Sequence, residues 1–287
     1  MSKIVIIGAN GQLGSEFQEL AAANPGHEFF FFDRDLLDIT VKEDVERKIA
    51  ELQPDYLVNC AAYTAVDKAE TDVEAAFAIN GTAVGHLAAA CAAHNVRLVH
   101  ISTDYVFDGT ASAPYTEDAP VAPANVYGRS KLQGEQEAQA HDPQAIIIRT
   151  AWVYSVYGNN FVKTMLRLMK SRPELNVVAD QQGSPTYAAD LAQAILHIVE
   201  TGNWVPGIYH FTNEGVITWF DFAEAIRSYS HAACTVHPIP TEQYPTPASR
   251  PKYSVLDKTK FARTFGIELK PWQESLRLCL EKLAVAQ

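Results

Sequence analysis

The segment that most constrains the fold lies at the N-terminus. Lys3-Ile4-Val5-Ile6-Ile7 is a short apolar run rich in β-branched residues, the composition of a strand buried on both faces of a parallel sheet. Gly8-Ala9-Asn10-Gly11-Gln12-Leu13-Gly14 follows without a break, and residues 15–21 then have helical composition and spacing. A strand, a glycine-rich turn and a helix in this order make an anion cradle. Backbone N–H groups and the positive helix end face a pyrophosphate, and glycines let the chain approach it closely. The spacing is GxxGxxG rather than GxGxxG. Gly8, Asn10, Gly11, Gln12, Leu13 and Gly14 are therefore candidate dinucleotide-binding residues.

A second strand, Phe29-Phe30-Phe31-Phe32, ends at Asp33-Arg34. A carboxylate there bonds ribose hydroxyls, whereas a guanidinium meets a 2′-phosphate, so the pair leaves NAD and NADP both open. Further strand-like runs at 56–59, 98–101 and 145–149 alternate with helical stretches at 42–52, 72–94 and around 127–131. This alternation predicts an α/β fold, a doubly wound parallel sheet of Rossmann type. Ligands of such sheets bind beyond the carboxyl ends of the strands, where Gly8, Asp33, Asn59, Ser102 and Arg149 all fall. Past Trp152 the pattern loosens into a loop at 180–187, a strand within 204–218, a proline-rich stretch at 238–251, and helices near 189–200, 258–265 and 272–283. The expected division is a mainly NAD(P)-binding part, residues 1–151, and a mainly substrate-binding lobe, residues 152–287, with some segments returning to the first part.

Two further motifs carry chemistry. In Val126-Tyr127-Gly128-Arg129-Ser130-Lys131, Tyr127 and Lys131 lie four apart and share one helix face. A nearby cation favours phenolate and lowers a tyrosine pKa from about 10 toward neutrality, which suits Tyr127 to act as general acid toward a carbonyl under reduction. Ser102-Thr103-Asp104 follows the fourth strand, and a hydroxyl there can hold a carbonyl oxygen near the tyrosine proton. Lys131 can also bond the nicotinamide ribose.

Composition narrows the partners. Lys and Arg number 23 against 34 Asp and Glu, a net charge of −11, which argues against nonspecific binding to nucleic acid or an anionic membrane. Cys60, Cys91, Cys234 and Cys279 form no CxxC pair and read as small hydrophobes of a reduced protein. No histidine or cysteine spacing suggests a metal. The chain starts in a core strand rather than a signal peptide, and no apolar run approaching about 18 residues is evident. A soluble, cytoplasmic protein is expected.

With these motifs in order, the chain resembles the extended short-chain dehydrogenase/reductase superfamily. More closely it resembles the dTDP-4-dehydrorhamnose reductases. The matching stretches are NCAAYTAVDKAE from Asn59, STDYVFDG from Ser102, YGRSKLQGE from Tyr127, RTAWVY from Arg149, DQQGSPTY from Asp180 and SRPKYSVLD from Ser249. The last three lie outside the superfamily's common motifs. The resemblance implies reduction of the 4-keto group of dTDP-4-dehydro-β-L-rhamnose by NADPH or NADH, with NADPH favoured. It makes Tyr127 the proton donor, Lys131 its partner and Thr103 the third catalytic residue. Gly11, Gln12 and Leu13 would meet the pyrophosphate, Asp38 and Ile39 the adenine side, and Ala61, Ala62 and Tyr63 the cofactor's path toward the sugar. Thr64, Thr103, Asp104 and Trp152 would touch the sugar, Trp152 being open to a packing role as well. Arg250 and Lys252 are candidates for the diphosphate on charge, and equally for a solvated basic loop. Some members are dimers joined through magnesium. Glu16 and Asp190 fall near such ligand positions, but Glu281 is the only late acidic residue, so a monomer or plain homodimer without metal is expected. The same fold also admits a non-catalytic cofactor-binding subunit like that of methionine adenosyltransferase, or a nucleotide-sugar epimerase or dehydratase.

Overall fold

The computed structural model describes residues 1–285. Its centre is a six-stranded parallel sheet built from β1 (Lys3–Ile7), β2 (Glu28–Phe32), β3 (Tyr56–Asn59), β4 (Arg97–Thr103), β5 (Ile146–Thr150) and β10 (Gly207–His210), in spatial order β2-β1-β3-β4-β5-β10. The order reverses between β1 and β3, and doubly wound sheets open their ligand crevice at such a reversal. Helices cover both faces. Alternation within the strands decides which face each side chain enters. Ile4, Ile6, Phe29, Phe31, Ile146 and Ile148 join the core under α1 (Gln12–Ala23), α8 (Ala188–Thr201) and α10 (Thr259–Phe265). Val5, Ile7, Phe30, Phe32, Leu57 and Ile147 join the opposite core under α2 (Lys42–Leu52), α5 (Ala83–Ala93) and α6 (Val126–His141). Ile4 to Ile7 are almost completely buried, each worth about 1.5–3 kcal/mol.

The helix expected at 72–94 is interrupted. After the short α3 (Val66–Ala69) come α4 (Val73–Phe77), a π-turn over Ala78–Thr82, and then α5. The turn directs the buried Asn80 amide onto two segments: it accepts from Tyr63 N at 2.8 Å, and donates to Tyr63 O at 3.0 Å and Ser130 Oγ at 3.0 Å. Contrary to the sequence expectation, Val73–Ala93 is long and apolar enough to cross a membrane by length and composition. More than half of it is buried in the protein, and α5 packs against α2 and α6.

The second half of the chain is more ordered than its sequence suggests. β6 (Val153–Tyr154) pairs β9 (Thr186–Tyr187), β7 (Glu174–Val178) pairs β12 (Thr235–Ile239), and β8 (Gln182–Gly183) pairs β11 (Ile217–Thr218). Around them α7 (Phe161–Ser171), α9 (Trp219–Tyr229) and α11 (Trp272–Val285) build a third core from Val162, Met165, Phe222, Ile226, Trp272 and Leu276. β10 leaves this half to pair in parallel with β5, and α8 packs on α1.

Candidate active site

A cavity of about 930 Å³ lies beyond the carboxyl ends of β1, β3, β4 and β5. Its floor is the glycine turn. Gly8 has φ +79°, and a Cβ there would lie 2.6 Å from Ala61 N, so only glycine fits both the backbone and the contact. Gly11 N donates to Gly8 O at 3.0 Å, closing the turn against the start of α1. That helix has no side-chain cap and no acidic residue in its first turn. Its N-terminal amides are left to an anion, and the cradle fits a pyrophosphate. Gly14 is a correction to the sequence reading. It does not line the cavity, and a Cβ on it would lie 2.3 Å from Gly8 O. It lets α1 pack close to the turn.

Gly8, Asn10, Gly11, Gln12, Leu13, Asp33, Arg34, Asp38, Ile39, Ala61, Ala62 and Thr64 all line the cavity. Asp33 accepts from Asn10 Nδ2 at 2.6 Å and from the backbone N–H groups of Asp35 and Leu36 at 3.1 Å each, which shapes the loop at the tip of β2. Arg34 is exposed and pairs with Asp38 at 3.8 Å. Tyr63, expected on the cofactor's path, does not line the cavity. Its backbone is held by Asn80 and its hydroxyl donates to Asp72 at 3.0 Å.

α6 carries Tyr127 and Lys131. Asn125 caps it by accepting from Gly128 N at 2.8 Å, and Glu70 accepts from Val126 N at 2.8 Å. These bonds hold the first turn, from which Tyr127 and Lys131 face the cavity together with Thr103 and Asp104. Thr103 Oγ1 donates to Asp104 Oδ1 at 3.0 Å and lies in the cavity lining beside Tyr127. Lys131 is buried and donates to Ile101 O at 2.7 Å. The electrostatics differ from the sequence expectation. Burial pushes the Tyr127 phenol up to about 12, opposed by the neighbouring Thr103 hydroxyl and assisted by the Asp104 charge. The Lys131 ammonium does not make it acidic; burial brings Lys131 itself down to about 8 against the pull of Glu135. Desolvation outweighs the ammonium's influence in this pocket. Asp104 is raised by burial to about 6, opposed by the Ser254 and Thr103 hydroxyls.

Beneath this pair lies a buried charged network. Arg149 at the end of β5 clamps Glu135 on α6 with bonds of 2.9 and 2.7 Å, and Ser102 Oγ donates to Glu135 at 2.5 Å. Ser102 thus turns its hydroxyl into the protein and leaves Thr103 to the cavity. Trp152 lines the far side with φ +47°, a strained conformation for a bulky residue that costs about 1–3 kcal/mol. Its indole stacks on Trp219 at 3.6 Å.

Arg250 and Lys252 are placed elsewhere. Arg250 pairs with Asp67 at 2.8 Å; exposed Lys252 faces Glu242 at 3.8 Å; neither lines the cavity. Tyr105 does, and it meets the Tyr127 ring edge-on at 5.6 Å. The sequence reading missed it, although it directly follows Asp104.

The architecture is that of the extended short-chain dehydrogenase/reductases. The model of the RmlD substrate binding domain matches residues 2–285, and the chain belongs to that family. The dTDP-4-dehydrorhamnose reductase of Aggregatibacter actinomycetemcomitans is 44% identical, over 96% of this chain and 98% of its own length. Among solved structures, a dTDP-4-dehydrorhamnose reductase from Clostridium acetobutylicum superposes with TM-score 0.94 at 43% identity, covering 98% of this chain and 99% of its own. One from Bacillus anthracis, in complex with NADP, superposes with TM-score 0.93 at 42% identity over the same shares.

Proposed function

We propose that this protein reduces the 4-keto group of dTDP-4-dehydro-β-L-rhamnose to give dTDP-β-L-rhamnose, using NADPH and also accepting NADH, as a soluble cytoplasmic enzyme. The observation that carries the reading is the convergence of Tyr127, Lys131 and Thr103 on the cavity floored by the glycine turn, in a chain matching reductases along its length.

Bound in that cradle, the reduced nicotinamide supplies the hydride that the carbonyl carbon receives. Thr103 orients the carbonyl oxygen beside Tyr127, with which it lines the cavity. Tyr127 then transfers its proton to that oxygen. A phenol held near 12 stays protonated at neutral pH, the form a reductase needs at the start of its cycle. Lys131, close to titration near neutrality, is suited to bond the ribose and stabilise the phenolate that proton transfer leaves. Gln12 and Leu13 hold the pyrophosphate through backbone N–H groups, and Asp33 and Arg34 frame the adenine ribose. Asp104 and Thr64 meet the sugar.

The test is to incubate purified protein with dTDP-4-dehydrorhamnose and each reduced nicotinamide separately. Nicotinamide absorbance should fall in proportion to sugar consumed, and NMR should identify dTDP-L-rhamnose. Sugar converted without net nicotinamide oxidation would point to an epimerase or dehydratase. No conversion with either cofactor would point to a binding subunit.

A further inference from the structure

We propose that Gly183 and Trp219 are positioning residues that clamp the Trp152 indole edge-on to the cleft, and that this clamp sets how tightly the deoxysugar ring is bound. The inference rests on the reductase reading above. Trp219 stacks on one face of Trp152, with centroids 3.6 Å apart and planes 14° from parallel. Gly183 takes up the other face. A Cβ on Gly183 would lie 2.6 Å from Trp152 Cε2, 2.7 Å from Cζ2 and 2.9 Å from Nε1. An in-plane approach would bring Nε1 or Cζ2 nearer than Cε2, so the glycine stands over the ring. It stands opposite Trp219, because that indole would otherwise be its nearest neighbour. With both faces taken up, the rim of the indole remains to line the cavity. Trp152 therefore acts as a stop against which the sugar abuts, not as a platform on which it stacks.

The two jaws are parts of one device. Gly183 in β8 pairs with Ile217 in β11, two residues before Trp219. Thr218 and Asp221 form a capping box that fixes the first turn of α9. Phe161 backs Trp219 at 4.7 Å and stacks on Phe222. Trp152 is tethered as well, its carbonyl accepting from Thr186 N at 3.2 Å. The left-handed backbone at Trp152 is the strain such a clamp holds in place.

Three variants test this. Stacked indoles couple their electronic transitions and give a couplet in far-ultraviolet circular dichroism. In Gly183→Ala the added methyl should push the indole aside, weaken the couplet and raise KM for the sugar about tenfold. Its kcat and its affinity for NADPH should stay within about twofold of wild type. Trp219→Ala should raise KM similarly, and Trp219→Phe, which keeps an aromatic face, should restore it to within about threefold. An unchanged KM in Gly183→Ala, an intact couplet there, or a fall in kcat without a change in KM would overturn the assignment. Wild-type protein that leaves the sugar unreduced would overturn the reductase reading itself, and the assignment with it.

Discussion

On one side of the cleft, Tyr127, Lys131 and Thr103 sit on α6 and β4, which are riveted by Asn125, Glu70, Asn80 and the Ser102–Glu135–Arg149 network. On the other, Trp152 is held by a stacked ring, a glycine and the apolar contacts behind them. Directional bonds between buried polar groups tolerate little displacement, since each broken bond leaves an unpaired group in a dry environment. Packing against an aromatic face yields more gradually. The side proposed to transfer the proton is thus built of the less forgiving material, and the side proposed to meet the sugar of the more adaptable.

The largest expected effect comes from breaking the rivet. Arg149 and Glu135 are almost completely buried, and removing one partner of such a pair costs about 3–5 kcal/mol. Arg149→Met should lower unfolding stability by that amount in urea titrations. Adding Glu135→Gln should recover much of it, because a neutral amide no longer needs the guanidinium. A loss below about 1 kcal/mol in the single variant would mean the network does not hold the helix.

Next is the chemistry that α6 carries. Tyr127→Phe keeps the ring and its edge contact with Tyr105 but removes the proton, so kcat should fall by about 10² or more. NADPH affinity, measured by titration, should stay near wild type. Near-normal turnover would take Tyr127 out of the mechanism and leave the rivet without a catalytic purpose.

This side of the cleft was also the legible one. Tyr127 and Lys131 announce themselves because four residues on a helix is a local relation, and Gly8 because a strand, a turn and a helix adjoin in sequence. What the sequence did not reveal was the balance of forces on the pair: ammonium and phenol are both buried, and the depth of burial is a property of the assembled fold. The aromatic side was nearly opaque. Trp152 stood out, but Gly183 and Trp219 meet it only through the β8–β11 pairing, which joins distant segments through two-residue strands. Arg250 shows the same limit. Its charge suggested an anionic ligand, and the fold supplies Asp67 as a partner from far along the chain. α7 was overlooked although Val162, Met165 and Met169 keep helical spacing and Asn160 caps it, because the surrounding loops hide its boundaries.

The smallest effect concerns Asp104, the carboxyl proposed to meet the sugar on the riveted side. Its folded pKa of about 6 exceeds the ordinary 3.8 because burial disfavours the charge. A group raised in this way contributes its full stability below about pH 3.8, and that contribution is lost as pH rises through about 6. At pH 7 the fold therefore carries a desolvated carboxylate. Asp104→Asn removes the charge while keeping an oxygen for Thr103. It should make the protein more stable than wild type by about 2 kcal/mol at pH 7, with the gap closing as pH falls from 6 toward 4. Denaturant midpoints of the two proteins across that range check this. A gap that ignores pH, or a variant less stable at neutrality, would show that Asp104 is at ease in the folded protein. The expected gain instead marks a cost accepted where the sugar is proposed to bind, and turnover by the same variant, read beside its stability, should show what that cost serves.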